Sequence, residues 1–308
     1  MAAAHAPIAL FAYNRPEHLR RALSSLAANP QAKQSELYIF SDGARDADST
    51  ESVSQVRNVI AGAAGFKSVT PVLRERNLGL ARSIIDGVSR LCGAHGKVIV
   101  VEDDLVLSPH FLAYMNDALL MYEHEDRVIS VHGYVYPINA ELPETFFLRG
   151  ADCWGWATWQ RGWSIFEQDG SRLLERIKES GLANEFDFDG NYGYTRMLEE
   201  QIAGKNDSWA IRWHASAFLA NKLTLYPGRS LVMNMGADGS GTHFGSTTTL
   251  FDVQLAQEPV KVARLPIEEN SAARQLVVEY FRGIRPTFVR RMKNRAQKLF
   301  QARSSRHA

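Results

Sequence analysis

Three consecutive carboxylates, Glu102, Asp103 and Asp104, directly follow four β-branched apolar residues at positions 98–101. Such an apolar run predicts a strand buried on both faces, and open α/β folds bind ligands at the carboxyl edge of such strands. Adjacent carboxylates repel one another unless a positive charge lies between them. A hard divalent cation that also holds phosphate oxygens would supply that charge. A strand ending in a solvated acidic turn is the alternative.

Three earlier strands must position this edge, and polar residues follow each of them. Apolar runs predict strands at 7–13, 37–40 and 69–73, and helical spacing is found at 17–28, 49–61 and 81–91. The polar residues after these strands are Asn14 and Arg15, Asp42, and Arg76. Four βα units in roughly 100 residues predict a parallel, doubly wound sheet. We therefore expect these strand ends to meet the acidic triplet at one edge.

The chain of 308 residues is 45% apolar and 22% charged, which is the composition of an ordinary globular protein. The net charge of +1 conceals an asymmetry, because residues 282–308 carry nine Lys and Arg residues and no Asp or Glu. This basic tail is suited to contact with an anionic membrane surface, and a solvated terminus is the alternative. The acidic body and the lack of a base-reading module argue against a nucleic-acid partner.

The two cysteines, Cys92 and Cys153, match neither a disulfide framework nor a zinc-ligand spacing. The first residues lack the basic region of a signal peptide, and no stretch approaches the roughly 20 apolar residues that cross a bilayer. We expect a cytoplasmic protein, peripheral to the inner face of the plasma membrane if the basic tail binds lipid.

The second half of the chain contains three further candidate segments. Residues 145–165 are rich in tryptophan, which forms core wedges and also platforms for sugar rings. A helix is predicted to open near residue 206, with Asp207 or Ser208 as its cap. The glycine-rich stretch 236–245 matches neither a Walker loop nor a dinucleotide fingerprint, although its backbone could cradle phosphates.

These motifs carry a family resemblance. The resembling segments are 7–16, 41–43, 76–82, 100–105 and 108–112, followed more weakly by 207–209 and 240–245. Together they resemble GT-A glycosyltransferases, namely the N-acetylglucosaminyltransferase I type and bacterial family-2-like sugar transferases. The resemblance implies an α/β fold in which a mostly parallel, Rossmann-like sheet has helices on both faces and a smaller acceptor-side region. The implied parts are a nucleotide-sugar-binding half at 1–135, an acceptor-binding and catalytic half of the same domain at 136–281, and the basic tail at 282–308.

The resemblance also implies roles for the strand-end residues. Asp104 would ligate Mn²⁺ or Mg²⁺ bridging the donor diphosphate, while Glu102 and Asp103 would face the ribose and the sugar. The residues implied to hold the base are Ala12, Asn14, Arg15 and Asp42, with the Asp42 carboxylate accepting from a uracil-type N–H. Arg76 and Arg82 would steer the nucleotide electrostatically.

Later residues take the acceptor-side roles that the resemblance implies. Asp207 would accept the proton of the acceptor hydroxyl; an alignment slip would move this role to Ser208, which cannot serve alone, and Asp152 is the reserve candidate. The predicted acceptor subsite is Trp154, Gly155 and Trp156. The loop 236–245 would order over the donor, with His243 on the metal or the diphosphate, or simply as a surface histidine.

The leading hypothesis is therefore a metal-dependent inverting glycosyltransferase. It would move a sugar from a nucleotide-diphosphate donor, with a UDP-sugar favoured, to a hydroxyl of a glycan or lipid-linked acceptor, as in bacterial polysaccharide biosynthesis. A sugar nucleotidylyltransferase is disfavoured, because Asn14-Arg15-Pro16 stands where a glycine-rich triphosphate loop would be needed. The non-enzymatic alternative is an inactive module that binds a sugar nucleotide or a glycan.

Overall fold

The computed structural model describes residues 5–236 and 248–285. Its strands are β1 (Ile8–Ala12), β2 (Glu36–Ser41), β3 (Ser68–Leu73), β4 (Lys97–Glu102), β5 (Leu105–Leu107), β6 (Val128–His132), β7 (Thr145–Arg149), β8 (Trp156–Trp159), β9 (Leu223–Pro227) and β10 (Val232–Asn234). The helices are α1 (Pro16–Ala27), α2 (Thr50–Ala61), α3 (Leu80–His95), α4 (Phe111–Met121), α5 (Gln160–Trp163), α6 (Gly170–Glu179), α7 (Ala183–Phe186), α8 (Tyr194–Ile202), α9 (Trp209–Leu219) and α10 (Ser271–Ile284).

The first half of the sheet confirms the predicted doubly wound arrangement. Strands β3, β2, β1 and β4 lie side by side in that order and run parallel. Every residue of β1 is buried, as the continuous apolar run predicts for a central parallel strand. The carboxyl ends of these four strands therefore reach one edge, where their polar followers lie.

Helices cover both faces of this sheet, because alternate strand residues point to opposite sides. Ile8 and Leu10 of β1 share a core with α1, α2 and α4. Ala9 and Phe11 lie in a second core with α3 and α9. The expected fold, a Rossmann-like sheet between two helical layers, is confirmed.

The second half of the sheet departs from the βα repeat. Strand β8 is inserted between β4 and β6 and is antiparallel to both, and β9 and β7 complete the sheet. The short strands β5 and β10 form a separate antiparallel pair just after the acidic triplet. Through this pair the chain returns to the carboxyl edge at residues 232–236.

No helix within residues 5–236 and 248–285 is long and apolar enough to cross a membrane. Helix α10 continues past residue 281 to Ile284 and packs on β7. The division of the chain at 135 and 281 stays a prediction, as does membrane contact by the tail, of which residues 286–308 lie outside the described residues.

Candidate active site

The acidic triplet lies at the carboxyl edge of β4, as predicted. Glu102 is the last residue of the strand, and Asp103 extends the ladder by donating its backbone N–H to the carbonyl of Phe11 at 3.0 Å. The Asp103 side chain is buried, whereas Asp104 retains some exposure. The triplet is therefore partly enclosed rather than a fully solvated turn.

Arg15, which follows β1, is the cation that faces these acids. Its Nη2 donates to a carboxylate oxygen of Asp103 and lies 3.0 Å from Oδ2 of Asp104. The backbone N–H of Tyr13 donates weakly to the second oxygen of Asp103, at 3.4 Å. The first and fourth strands of the predicted sheet thus meet through side chains as well as through hydrogen-bonded backbones.

Electrostatics around the triplet favour a cation. Burial, reinforced by Asp104 and Asp103, raises the pKa of Glu102 well above its usual value. Burial also raises the pKa of Asp103 to about 6, although Arg15 opposes this shift. A further positive charge would favour the ionised forms of these carboxyl groups.

Residues 234–236 approach the triplet from β10, and the sequence analysis did not predict this contact. The backbone N–H of Met235 donates to the Asp104 carbonyl at 2.7 Å, and that of Gly236 donates to Oδ1 of Asn234 at 2.6 Å. A Cβ atom at position 236 would collide with the Asp104 carboxylate. A larger residue at position 236 would therefore have to displace the Asp104 carboxylate, and Gly236 is the first residue of the glycine-rich stretch that the resemblance places over the donor.

The residues present fit a divalent cation that is completed by substrate oxygens. Within the described ranges, no group of three His, Cys, Asp or Glu side chains converges as a closed metal site. The Asp104 carboxylate and the Asn234 amide oxygen, which both lie beside Gly236, are hard ligands suited to Mn²⁺ or Mg²⁺. Magnesium is commonly held by one or two carboxylates together with substrate phosphates.

The residues predicted to hold the base lie along the same edge. Ala12 is nearly buried at the end of β1, and its carbonyl accepts from the backbone N–H of Asp42 at 3.1 Å; Asn14 is half-buried just beyond. The Asp42 carboxylate accepts from the backbone N–H groups of Leu78 and Gly79, each at 2.9 Å. Asp42 thus fixes the loop before α3, and its contact with a base stays a prediction.

Two predicted steering residues flank this loop. Arg76 precedes α3 and Arg82 lies in its first turns, and both side chains are exposed. No described partner fixes either guanidinium in a salt bridge at the edge, so their proposed action is long-range attraction rather than a built contact.

Asp207 reaches this same edge. Ser208 is the cap of α9, since its hydroxyl accepts from the backbone N–H of Ile211 at 3.2 Å. Asp207 is therefore free of that task, and its side chain is 68% exposed. Its Oδ2 lies 4.0 Å from the position that a Cβ on Gly79 would occupy, and its Oδ1 lies 3.4 Å from Nη2 of Arg212.

The predicted acceptor residues separate into surface and core. Trp154 is half-buried and makes edge contacts with Tyr134 and Phe251. Gly155 adopts a φ of 61° in close contact with Val232, so it shapes the turn. The prediction that Trp156 lies at the acceptor subsite is wrong. Its side chain is fully buried, because β8 directs it into a core of other tryptophans, namely Trp163, Trp209 and Trp213.

A tyrosine-rich surface around Asp152, the reserve base candidate, consists of Tyr136, Tyr192 and Tyr280, and sequence reasoning did not find it. The ring centroids of Tyr136 and Tyr280 lie 5.6 Å apart. Tyr136 donates its hydroxyl to the Asp152 carboxylate at 2.9 Å. Burial, followed by the charges of Asp152, Glu102 and Asp104, raises the pKa of the Cys153 thiol. Burial also raises the pKa of Tyr192 to about 12, although its side chain stays partly accessible. Gly155, close to Asp152 in the chain, lies against Val232 of β10, the strand that ends at Asn234 beside the triplet.

The loop that carries Tyr192 has an unusual backbone. Phe188 and Asp189 adopt φ values of 49° and 56°, which non-glycine residues rarely do. Arg274 of α10 holds this conformation by donating to both oxygens of Asp189, at 3.0 and 2.8 Å. Strain of this kind persists where surrounding contacts over-determine the backbone, and it clusters at ligand sites. His243, the remaining predicted site residue, lies outside the described residues.

A parallel sheet whose central strand ends in an acidic triplet is the Rossmann-like arrangement expected of a GT-A glycosyltransferase. The family model described as glycosyl transferase family 2 matches residues 8–162, about half of the chain. The chain therefore belongs to glycosyl transferase family 2. This membership argues against a sugar nucleotidylyltransferase. The narrower resemblance to N-acetylglucosaminyltransferase I stays a prediction, and no curated protein matches the chain.

Solved structures of transferases show only distant similarity. The mannosyltransferase PcManGT from Pyrobaculum calidifontis, in complex with GDP-Man and Mn²⁺, is 15% identical over 43% of this chain and 35% of its own, with a TM-score of 0.32. TarS from S. aureus is 18% identical over 48% of this chain and 24% of its own, with a TM-score of 0.29. The chain spans less than half the length of either protein.

Proposed function

We propose that the protein is a metal-dependent inverting glycosyltransferase. It would transfer a sugar from a nucleotide-diphosphate donor, with a UDP-sugar favoured, to a hydroxyl group of a glycan or glycolipid. The observation that carries this proposal is the enclosed acidic triplet beside Arg15, at the edge where Asp207 is also exposed. The same edge thus combines groups that could bind a cation, bind an anionic leaving group and accept a proton.

The donor side is suited to holding a diphosphate. Asp104 and the neighbouring Asn234 amide would hold the cation, and the Arg15 guanidinium offers further positive charge. A bound Mn²⁺ or Mg²⁺ would stabilise the negative charge that the diphosphate acquires as the glycosidic bond breaks. Asp42 and the end of β1 would hold the nucleoside at the far side of the same edge.

Asp207 would act as the general base. An inverting transfer needs a carboxylate on the face of the sugar opposite the diphosphate, where it takes the proton of the attacking hydroxyl. The Asp207 side chain is accessible to an incoming acceptor because Ser208, rather than Asp207, caps α9. Its neighbour Arg212, with Nη2 3.4 Å from Oδ1 of Asp207, would help to orient the carboxylate.

The acceptor would lie against Trp154 and the tyrosine-rich surface around Asp152. Aromatic side chains offer apolar faces to sugar rings, and the Asp152 carboxylate and tyrosine hydroxyls offer hydrogen-bond partners for sugar hydroxyls. This surface replaces Trp156 in the proposed subsite. The close approach of Gly155 to Val232 of β10, the strand that ends at Asn234, supports its closeness to the donor edge.

The metal requirement is tested by release of UDP or GDP from nucleotide sugars by the purified protein with Mn²⁺. We expect Asp104→Asn to lower the rate by at least about 100-fold, because removing a group that stabilises leaving-group charge costs this much or more. The exposed Glu175 on α6 provides a matched control as Glu175→Gln. Full activity of Asp104→Asn, or of the wild type in EDTA, would contradict metal dependence.

The role of Asp207 is tested separately. We expect Asp207→Asn to reduce transfer by about 10²–10⁴-fold, the usual contribution of a general base, while metal-dependent nucleotide binding measured by calorimetry stays unchanged. Proton NMR of the first product formed should show inversion at the anomeric carbon. Transfer at the wild-type rate would reject Asp207 as the base, and a retained anomeric configuration would reject the inverting mechanism.

A further inference from the structure

Arg15 occupies a position from which its side chain alone can change partners. It is the cap residue of α1, where its carbonyl accepts the backbone N–H of Leu19 at 3.0 Å and Pro16 begins the helix. The backbone is therefore fixed by β1 on one side and by α1 on the other. The side chain is 21% exposed, so rotation about its own bonds can move the guanidinium without disturbing either element.

The contact between Arg15 and Asp104 uses an oxygen that a cation would also use. Nη2 of Arg15 lies 3.0 Å from Oδ2 of Asp104 while it also donates to Asp103. A magnesium ion bonded to a carboxylate oxygen lies about 2.1 Å from it. Two positive charges so close to one oxygen repel each other strongly. Arg15 and a divalent cation therefore compete for Asp104.

The second terminal nitrogen of Arg15 is differently placed. Nη1 is buried and has no hydrogen-bond partner among the residues that the structure describes. A buried donor without a partner is unfavourable, and a guanidinium readily binds two oxygens of a phosphate in its planar fork. The unpaired nitrogen lies on the residue that links the end of β1 to the triplet, which is the edge proposed to hold the donor diphosphate.

We propose that Arg15 is the resident counter-cation of the acidic triplet, and that it yields Asp104 to the divalent cation when its guanidinium binds the donor diphosphate. The inference rests on the proposed function, since it requires a metal at Asp104. Arg15 weakens metal binding to the free protein and strengthens it once a nucleoside diphosphate is present. By linkage, the metal strengthens binding of the diphosphate by the same factor.

The test measures Mn²⁺ binding by calorimetry for the wild type, Arg15→Gln and Arg15→Lys, with Mn²⁺ alone and then with saturating UDP or GDP. We expect Arg15→Gln to bind Mn²⁺ alone at least about fivefold more tightly than the wild type, at the lower end of typical couplings. The strengthening of Mn²⁺ binding by the diphosphate should be smaller in this variant. Arg15→Lys, a charge without the planar fork, should bind Mn²⁺ alone like the wild type but show reduced coupling.

Arg20→Gln is the matched control, because Arg20 lies on the same helix, is exposed and pairs only with Glu17 among the salt bridges described. It removes one positive charge and should leave Mn²⁺ binding unchanged. A thermal melt in EDTA adds a second measurement: Arg15→Gln should melt at a lower temperature than the wild type and recover more when Mn²⁺ is added.

The outcomes distinguish the two proposals. Tighter Mn²⁺ binding by Arg15→Gln cannot result from damage to the site, which would weaken binding. Equal or weaker binding by Arg15→Gln, with normal binding by the wild type, would overturn the role of Arg15 and leave the proposed function intact. If Arg15→Gln does not fold, unchanged coupling in Arg15→Lys overturns the proposal in its place. Failure of the wild type to bind Mn²⁺ with or without a diphosphate would overturn both proposals.

Discussion

The donor and acceptor sides of the site are built in different ways. On the donor side, Asp42 and the acidic triplet each follow a strand, and the parallel ladder that joins β2, β1 and β4 brings them together. On the acceptor side, Asp152, Tyr192 and Tyr280 come from segments far apart in the chain. There the backbone is irregular, and side-chain contacts such as the Arg274–Asp189 pair fix it.

This difference has consequences for stability and for evolution of specificity. A ladder of backbone hydrogen bonds depends little on side-chain identity, so the donor edge keeps its geometry when individual residues change. The acceptor surface depends on particular side chains, and changing one of them alters the surface itself. Substitutions on the acceptor side are therefore expected to reshape the acceptor surface, and with it the substrate preference, while the donor edge persists.

The two tryptophans of the segment 154–156 belong to different sides of the site. Trp154 lies on the acceptor surface, and Trp156 lies in the core that supports β4 on the donor side. We expect Trp156→Ala to lower the free energy of unfolding by about 3–5 kcal/mol, because it empties a core that supports β4 through β8. Trp154→Ala, at a half-buried position, should cost about 1 kcal/mol and instead weaken acceptor binding. Urea denaturation of both variants measures the difference. Equal losses of stability in the two variants would contradict the assignment of Trp156 to the core and Trp154 to the acceptor surface.

The contrast also explains how far the sequence could be interpreted. Strands β1–β4 and helices α1–α3 were predicted to within about four residues of their ends, because each has its own apolar period and each strand is followed by a polar cluster; the short strand β5 was not predicted. The acidic triplet and Arg15 were found for the same reason. The local sequence pattern was sufficient to predict site residues that a strand of the parallel sheet places at its carboxyl end.

The acceptor side could not be predicted in that way. Trp154 and Trp156 have the same residue type two positions apart, and only the insertion of β8 between β4 and β6 decides which is buried. Tyr192 and Tyr280 carry no motif: Tyr192 follows a loop with left-handed residues, and Tyr280 is brought to Tyr136 by helix α10. Likewise, the approach of Asn234 to Asp104 depends on pairing of β10 with β5.

Asp152→Asn tests whether the tyrosine-rich surface binds the acceptor. The amide oxygen can still accept from the Cys153 N–H while the amide NH₂ donates to the Tyr136 hydroxyl oxygen, so the local structure should persist while the charge is lost. We expect the KM for the acceptor found in the transfer assay to rise about tenfold, because hydrogen bonds to charged groups contribute about 1.5–3 kcal/mol. The KM for the nucleotide sugar should stay within about twofold. An effect confined to the donor KM would place Asp152 on the donor side instead.

The donor and acceptor sides should contribute to the free energy of unfolding with opposite dependence on pH. Burial raises the pKa of Asp103 to about 6, so this donor-side acid lowers stability as the pH rises from about 4 to 6. Burial lowers the pKa of His132, a fully buried residue whose neutral Nε2 accepts the backbone N–H of Trp154 at 3.1 Å. The contribution of neutral His132 is complete above its ordinary pKa of about 6.5 and is lost as the pH falls below that value.

His132→Gln isolates the acceptor-side half of this pH response, because the glutamine oxygen can still accept the Trp154 N–H but does not titrate. We expect its free energy of unfolding to fall less steeply than that of the wild type as the pH falls below about 6.5, by up to about 1 kcal/mol per pH unit. Urea denaturation across this range measures both slopes. Identical slopes would show that protonation of His132 does not weaken the acceptor side in acid, and the opposition between the two sides would then rest on other groups.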